Sequence, residues 1–334
     1  MLVEYVWVDH YGHLRSKTKV IYQKRPSNLK DLNLPFWCFK SGGREGDIVL
    51  KPQSVFPDPF RGGECIMVLC DTYTSDLKPI KSNTRHSAEN IFKVHADKKP
   101  MYGINQEFFL MENNDPVGFS FASLVKESRA PPSPPDASHF YCGGGGNNVY
   151  GRECVEAAFK RCILSGINVT GMHVTDAPAQ WKINLCAEGL AAADQLVMMR
   201  YILNRTAEIY GFWINYSPQP MLRWSGSGCH VNFSTEAMRD EGGYSVIKDA
   251  IVKLEKAHQK HIDNYGLNND MRLRGVGGTS LFDTFTHSVG EGSVSVRIPN
   301  ETFTQQKGYF EDRRPGGNMD PYVVTPLILE TSLS

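Results

Sequence analysis

The sequence predicts an α+β chain of two domains, a β-rich domain over 1–82 and a larger mixed domain over 83–334. Up to residue 82, apolar residues fall in short alternating or continuous runs. Pro and Gly clusters such as Pro57-Asp58-Pro59 and Gly62-Gly63 cut them apart. From Asn83-Thr84 onward, stretches with helical periodicity alternate with strands. A length of 334 residues suffices for two domains and a sizeable core.

The predicted strands of the first domain are 5–8, 17–22, 47–50 and 65–70. A helix then starts at Asn83-Thr84 with its body over 86–96. Residues 102–111 read as a buried strand that ends in a turn at 112–115. The Pro-rich segment 130–136 reads as an extended surface loop. Gly143 to Gly146, with Asn147-Asn148, precedes a helix over 151–165. Such a run cradles phosphate or is a plain flexible turn, and the sequence favours neither. That helix carries Cys154, Val155, Ala158, Cys162 and Ile163 at helical spacing. A longer one over 188–210 turns Leu196, Met199, Ile202 and Leu203 to the core. A third spans 244–265, where His258 and His261 stand three apart. This is a metal-binding spacing, but the neighbouring Lys256 and Lys260 favour a solvated face. Strands are expected at 212–216, 228–233 and 293–298, and a last helix at 325–333. No internal repeat is present.

Lys plus Arg and Asp plus Glu both number 36, so neither nucleic acid nor an anionic membrane is an expected partner. No apolar run approaches the ~18 residues of a membrane span. The N-terminus has acids among its apolar residues and no basic region, so it reads as a strand and not as a signal peptide. Eight cysteines without Cys-x-x-Cys spacing read as reduced, mostly buried thiols. The expected location is a reducing intracellular compartment, the cytoplasm first, with the mitochondrial matrix open.

The stretch 307–321 concentrates chemistry. Glu311 and Asp312 precede Arg313 and Arg314, and Pro315-Gly316-Gly317 follows. Arginine forks bind carboxylates or phosphates bidentately, and Glu311 would hold a divalent cation beside an anionic substrate. The alternative is a surface loop of solvated charge.

Several ordered motifs resemble class II, eukaryotic-type glutamine synthetases over essentially the whole chain. They are Trp7-Val8-Asp9, Trp37-Cys38-Phe39, Asp58-Pro59-Phe60-Arg61, Tyr141-Cys142-Gly143, Tyr150-Gly151-Arg152 and Pro178-Ala179-Gln180-Trp181. The run from Gly226 to Thr235, Ala237-Met238-Arg239, Arg297-Ile298-Pro299 and the run from Gly308 to Pro315 complete the set. The resemblance implies an N-terminal β-grasp domain followed by a domain whose curved antiparallel sheet is backed by helices. It also implies active sites between neighbouring subunits of stacked rings. The family reaction uses ATP to phosphorylate the γ-carboxylate of glutamate, with Mg²⁺ or Mn²⁺ clamping the phosphoryl group, before ammonia displaces the phosphate.

Of the five carboxylates the resemblance assigns to metal, Glu107 and Glu311 remain. Asn105, Thr175 and Lys182 replace the other three, and the family's histidine is His230. Relative to three glutamates, these raise the formal charge by +1 at each of the first two and by +2 at the lysine. An ammonium ~4 Å from a divalent ion repels it by about 8 kcal/mol at an effective dielectric of ~20. Mg²⁺ and Mn²⁺ binding is therefore expected to be lost, with Lys182 near the old metal position, paired to Glu107 or Glu311. Asp176 is the one local candidate for a substitute ligand. The family's proton-accepting aspartate is replaced by Lys40, and the glutamate of its flexible loop by Gly278. The phosphate-binding arginine of its Asn-Arg-Ser motif is Gly292, and Trp-Asn-Gly reads Trp224-Ser225-Gly226. Each such loss costs about 10²–10⁴ in rate. Arg272, Arg297 and Arg313 match the arginines facing glutamate and phosphate. Asn232, Ser234, Arg239 and Tyr309 match the nucleotide surroundings.

The expected protein is therefore a catalytically inactive glutamine synthetase-like subunit with a structural or regulatory role. It carries no cofactor beyond weak ATP or anion binding. Its expected partners are copies of itself, an active paralogue or a hetero-complex, without nucleic acid or membrane insertion. The alternative is an active or altered ATP-dependent glutamate–ammonia ligase with degraded metal sites. The chain begins almost at its first strand and ends soon after its last helix, which leaves ring, monomer and hetero-complex all open.

Overall fold

A computed structural model describes residues 1–40, 46–119, 137–146, 148–221 and 224–334. The Pro-rich segment 130–136 and Asn147 lie outside the described residues. The first sheet comprises β1 (Leu2–Val8), β2 (Leu14–Val20), β3 (Trp37–Lys40), β4 (Asp47–Pro57) and β5 (Ile66–Tyr73), in the order β2-β1-β5-β4-β3. β1 and β5 run parallel; the other pairs are antiparallel. β3 was not anticipated.

Side chains alternate between the faces of a strand. Val3, Tyr5 and Trp7 join Ile66, Val68 and Cys70 in a small core on one face. Val6, Met67 and Leu69 point the other way, into the main core. The sheet is thus docked on the rest of the chain. Tyr201 Oη donates to Glu4 Oε1 across that junction at 2.9 Å.

The second sheet has nine strands. Its main path comprises β6 (Met101–Glu112), β8 (Val169–Val174), β9 (Gln180–Glu188), β11 (Cys229–Ser234), β12 (His287–Val289), β13 (Val296–Ile298) and β14 (Phe310–Asp312). Their order is β12-β13-β14-β11-β6-β9-β8, while β7 (Asp115–Pro116) and β10 (Trp213–Asn215) also pair with β6. One face is apolar: Tyr102, Ile104 and Phe108 of β6, Ile183 and Leu185 of β9, and Val231 and Phe233 of β11 are all buried. Helices α1 (Thr84–Val94), α2 (Arg152–Leu164), α3 (Leu190–Ile209), α4 (Gly243–Lys256) and α5 (Pro321–Leu333) supply the apolar residues that share this core. At the expected ~25 cal/mol per Å², this burial is the main stabilising term.

Several expectations need correction. β8 and β9 were missed as strands. The helix expected over 244–265 breaks at Ala257, with a separate short helix His258–Ile262. Ile163 is 55% exposed and not a core residue. Cys38 and Cys142 are exposed, so only four of the eight free thiols are buried. His258 and His261 do not lie on a solvated face; both are buried.

The histidines belong to a closed network. Arg314 donates through Nε and Nη2 to the two oxygens of Asp312, at 2.9 and 2.7 Å, and through Nη1 to His258 Nδ1 at 3.0 Å. His258 Nε2 therefore carries its proton toward Phe282 O at 3.0 Å. Tyr265 Oη donates to Asp312 Oδ2 at 2.6 Å, which makes His261 Nδ1 the donor to that hydroxyl. Burial, with Arg314 adding to it, pushes His261 down to about 3. Its unfolded form takes up a proton near 6.5, so the network's contribution is present above that pH and is lost as pH falls toward the folded value. The urea midpoint of wild type should therefore fall more steeply from pH 7.5 to 5 than that of His261→Gln. Equal slopes in paired urea titrations would contradict this.

Candidate active site

The other face of the large sheet is polar, and strand register fixes which residues share it. Asn105 of β6 lies opposite His230 of β11 and Asn184 of β9, and Glu107 lies opposite Lys182, which in turn faces His173 of β8. Asn232 of β11 pairs with Glu311 of β14, which also pairs with Arg297 of β13. All are alternate residues of their strands, and they form one floor of two glutamates, asparagines, histidines and cations. Thr175, just past β8, is buried nearby. The sequence had placed 307–321 between a substrate loop and solvated charge; Phe310 to Asp312 is a buried strand.

Lys182 Nζ stands 3.0 Å from Glu107 Oε1, both side chains largely buried. Glu107 Oε2 accepts the Gly228 N–H at 2.7 Å. Burial opposes the ionised carboxylate, but the Lys182 ammonium and the Gly228 amide outweigh it and hold Glu107 at about 2. Burial likewise opposes the ammonium, and Glu107 more than offsets it, raising the pKa of Lys182. Glu311 Oε1 accepts from Arg313 Nη1 at 3.0 Å and lies 3.3 Å from His230 Nδ1; its Oε2 is 3.3 Å from Arg297 Nη1. All four carboxylate oxygens already face a donor or a cation. His230 is pushed down to about 4 by burial and by Arg313, so it is neutral at pH 7. Asp176 is held by Ser225 Oγ at 3.3 Å.

The structure separates the remaining candidates. Arg272 is buried, and its Nη2 donates to the carbonyls of Arg313, Arg314 and Pro315 while Nε donates to Asn269, so it chiefly fixes backbone. Arg239 binds Ser234 and the Lys99 carbonyl, and Asn232 Nδ2 donates to Gly103 O. Tyr309 is partly exposed at the floor's edge. Gly278 sits at φ +72°, and its carbonyl accepts from Arg313 Nη2 at 3.4 Å. Lys40 is exposed at the end of β3, on the small sheet. Gly292 lies beside the Arg313 guanidinium. Sequence reasoning missed His173 and Asn184 as floor residues; the alternation in β9 was the available signal. His173 Nε2, Asn184 Oδ1, Thr175 Oγ1 and Arg313 Nε are buried without a hydrogen-bond partner among the described residues. Such groups are seldom left unmet in folded proteins.

The small sheet is docked on the larger one, and glutamate, histidine and arginine side chains converge on the polar floor of the larger sheet. Residues 82–250 match the glutamine synthetase catalytic domain model. A putative glutamine synthetase of Acanthamoeba polyphaga mimivirus is 39% identical, the alignment covering 99% of this chain and 93% of that protein. Glutamine synthetase of Neurospora crassa is 40% identical over 99% of this chain and 91% of its own, and glutamine synthetase N-1 of Phaseolus vulgaris 40% over 100% and 94%. The chain belongs to the glutamine synthetase family. Among the described residues, no helix is long and apolar enough to cross a membrane.

The ion pair makes a direct prediction. Lys182→Glu removes the ammonium and adds a carboxylate beside Glu107, so it should bind at least one more equivalent of Mn²⁺ than wild type. Electron paramagnetic resonance of free Mn²⁺ measures this. Identical stoichiometries would show that Lys182 does not govern cation binding.

Proposed function

We propose that this chain is an altered ATP-dependent glutamate–ammonia ligase, in which the Lys182 ammonium takes over part of the charge that divalent cations supply in its family. One observation carries the reading: Lys182 is paired with Glu107 while every oxygen of Glu107 and Glu311 is already engaged. These residues do not fit a hard divalent cation, which needs several free oxygen ligands. About 40% identity to glutamine synthetases along the whole chain favours a retained, weakened ligase activity. Arg297 and Arg313 and the unmet polar groups of the floor suit an anionic substrate and a nucleotide. The same reading treats the small sheet as a β-grasp domain. It expects Lys40 of one copy to approach the floor of its neighbour in a homo-oligomer, with an active paralogue or a hetero-complex as the other possible assemblies.

A second reading is favoured by a separate observation. Lys40, Gly278 and Gly292 stand where the family resemblance expects an acid, a lid glutamate and a phosphate-binding arginine. Losses in three distinct parts of the machinery fit a non-catalytic, structural or regulatory subunit.

The test is ADP formation by the purified protein with ATP, glutamate, ammonium and Mg²⁺ or Mn²⁺. An altered ligase gives turnover that needs both glutamate and ammonium and falls at least about tenfold in Arg297→Ala, as when an electrostatic group is removed. Turnover equal to that of the variant, or independent of glutamate, supports the non-catalytic reading.

A further inference from the structure

A separate cluster lies where the small sheet meets α1. Asn83 caps that helix by accepting the His86 N–H, and His86 and Glu89 then fall three apart on one helix face. Asp71, near the end of β5, lies opposite that face. One donor atom from each of Asp71, His86 and Glu89 lies within 4.8 Å of the other two. A strand carboxylate, a helical imidazole and a helical carboxylate converge.

Each carboxylate of this cluster has a cation near it, Arg85 by Asp71 and Lys93 by Glu89, yet Asp71 keeps an oxygen free of hydrogen bonds among the described residues. Asp71 is wholly buried. Its Oδ2 accepts from Gln53 Nε2 and Tyr73 Oη, each at 3.2 Å, and its Oδ1 accepts no hydrogen bond from the described residues. Arg85 spends Nε and Nη2 on Asp194, at 2.8 and 2.9 Å, and its Nη1 stands 3.5 Å from Asp71 Oδ1 without a hydrogen bond. Three carboxylates, Asp71, Asp194 and Glu89, therefore share Arg85 and the solvent-exposed Lys93, which lies 3.0 Å from Glu89. Lys51 sits over the Tyr73 ring, 5.6 Å from its centroid.

We propose that Asp71, His86 and Glu89 bind one divalent first-row transition-metal ion at the junction of the small sheet and α1. An imidazole with two carboxylates suits Zn²⁺, Co²⁺ or Mn²⁺ better than Mg²⁺ or Ca²⁺, which prefer oxygen alone. Three protein ligands leave further positions for water. Ligand bonds of about 2.0–2.2 Å require the donors to draw together from their present spacing, which side-chain rotation at partly exposed His86 and Glu89 allows. The Tyr73 hydroxyl, 3.4 Å from His86 Nδ1, is placed to orient the imidazole. The ion would tie the small sheet to α1, so its binding stabilises the folded chain. The site is independent of the Lys182 floor.

The probe is Co²⁺, titrated into the full-length reduced protein and followed by visible absorption and thermal melting. The expected result is an equivalent bound below about 100 μM with bands of nitrogen and oxygen ligands only and a rise in Tm. His86→Ala and Glu89→Gln, both at partly exposed positions, should each weaken that binding at least about tenfold. No binding below about 1 mM, binding that survives both substitutions, or thiolate-to-cobalt bands from the free cysteines would overturn the proposal.

Discussion

The contact between Lys182 and Glu107 sets the character of the polar floor. A carboxylate in this largely buried position needs a positive partner, and removing one member of a buried pair costs about 3–5 kcal/mol. With Lys182 on the neighbouring strand, that partner is part of the chain and needs no recruitment from solution. The Gly228 amide completes the arrangement by occupying the second oxygen. The cationic part of the site is thereby built into the fold, and Glu107 stays ionised across the physiological range.

Behind the floor, β14 ties this chemistry to the core through the pleat of a single strand. Glu311 and Arg313 face the polar side; Asp312 and Arg314 point backward. The backward pair is fully buried, is locked to Tyr265 and His258, and has the Arg314 guanidinium over the Tyr265 and Phe285 rings. Arg272 adds three carbonyl contacts to the chain that follows. Glu311 is consequently held at a fixed depth, where it meets His230, Arg297 and Arg313 together. The doubled Arg313-Arg314 of the sequence thus divides into one arginine for the site and one for the scaffold.

Much of this was legible in the sequence. The α+β class, the early strands, the main helices and the buried 102–111 strand follow from apolar periodicity. The motifs around His230 and Glu311 point to the family that the relatives confirm. β9 carries Trp181, Ile183 and Leu185 on one side and Lys182, Asn184 and Cys186 on the other, an alternation that is legible but was read only as the continuation of the Pro178-Ala179-Gln180-Trp181 motif. The other missing parts have physical reasons. His258 and His261 looked solvated because Lys256 and Lys260 flank them; their buried partners come from residues 265, 282, 314 and 331. Asp71 meets His86 and Glu89 only because β5 ends beside the first turns of α1, and no spacing within one element announces that.

The measurement that bears most directly on the central claim is an anomalous-difference map from crystals of the wild-type protein soaked in millimolar Mn²⁺. The account predicts no peak between Glu107 and Glu311, with Lys182 Nζ still about one hydrogen bond, roughly 3 Å, from Glu107. A Mn²⁺ peak ligated by Glu107 or Glu311, with Lys182 displaced, would contradict it.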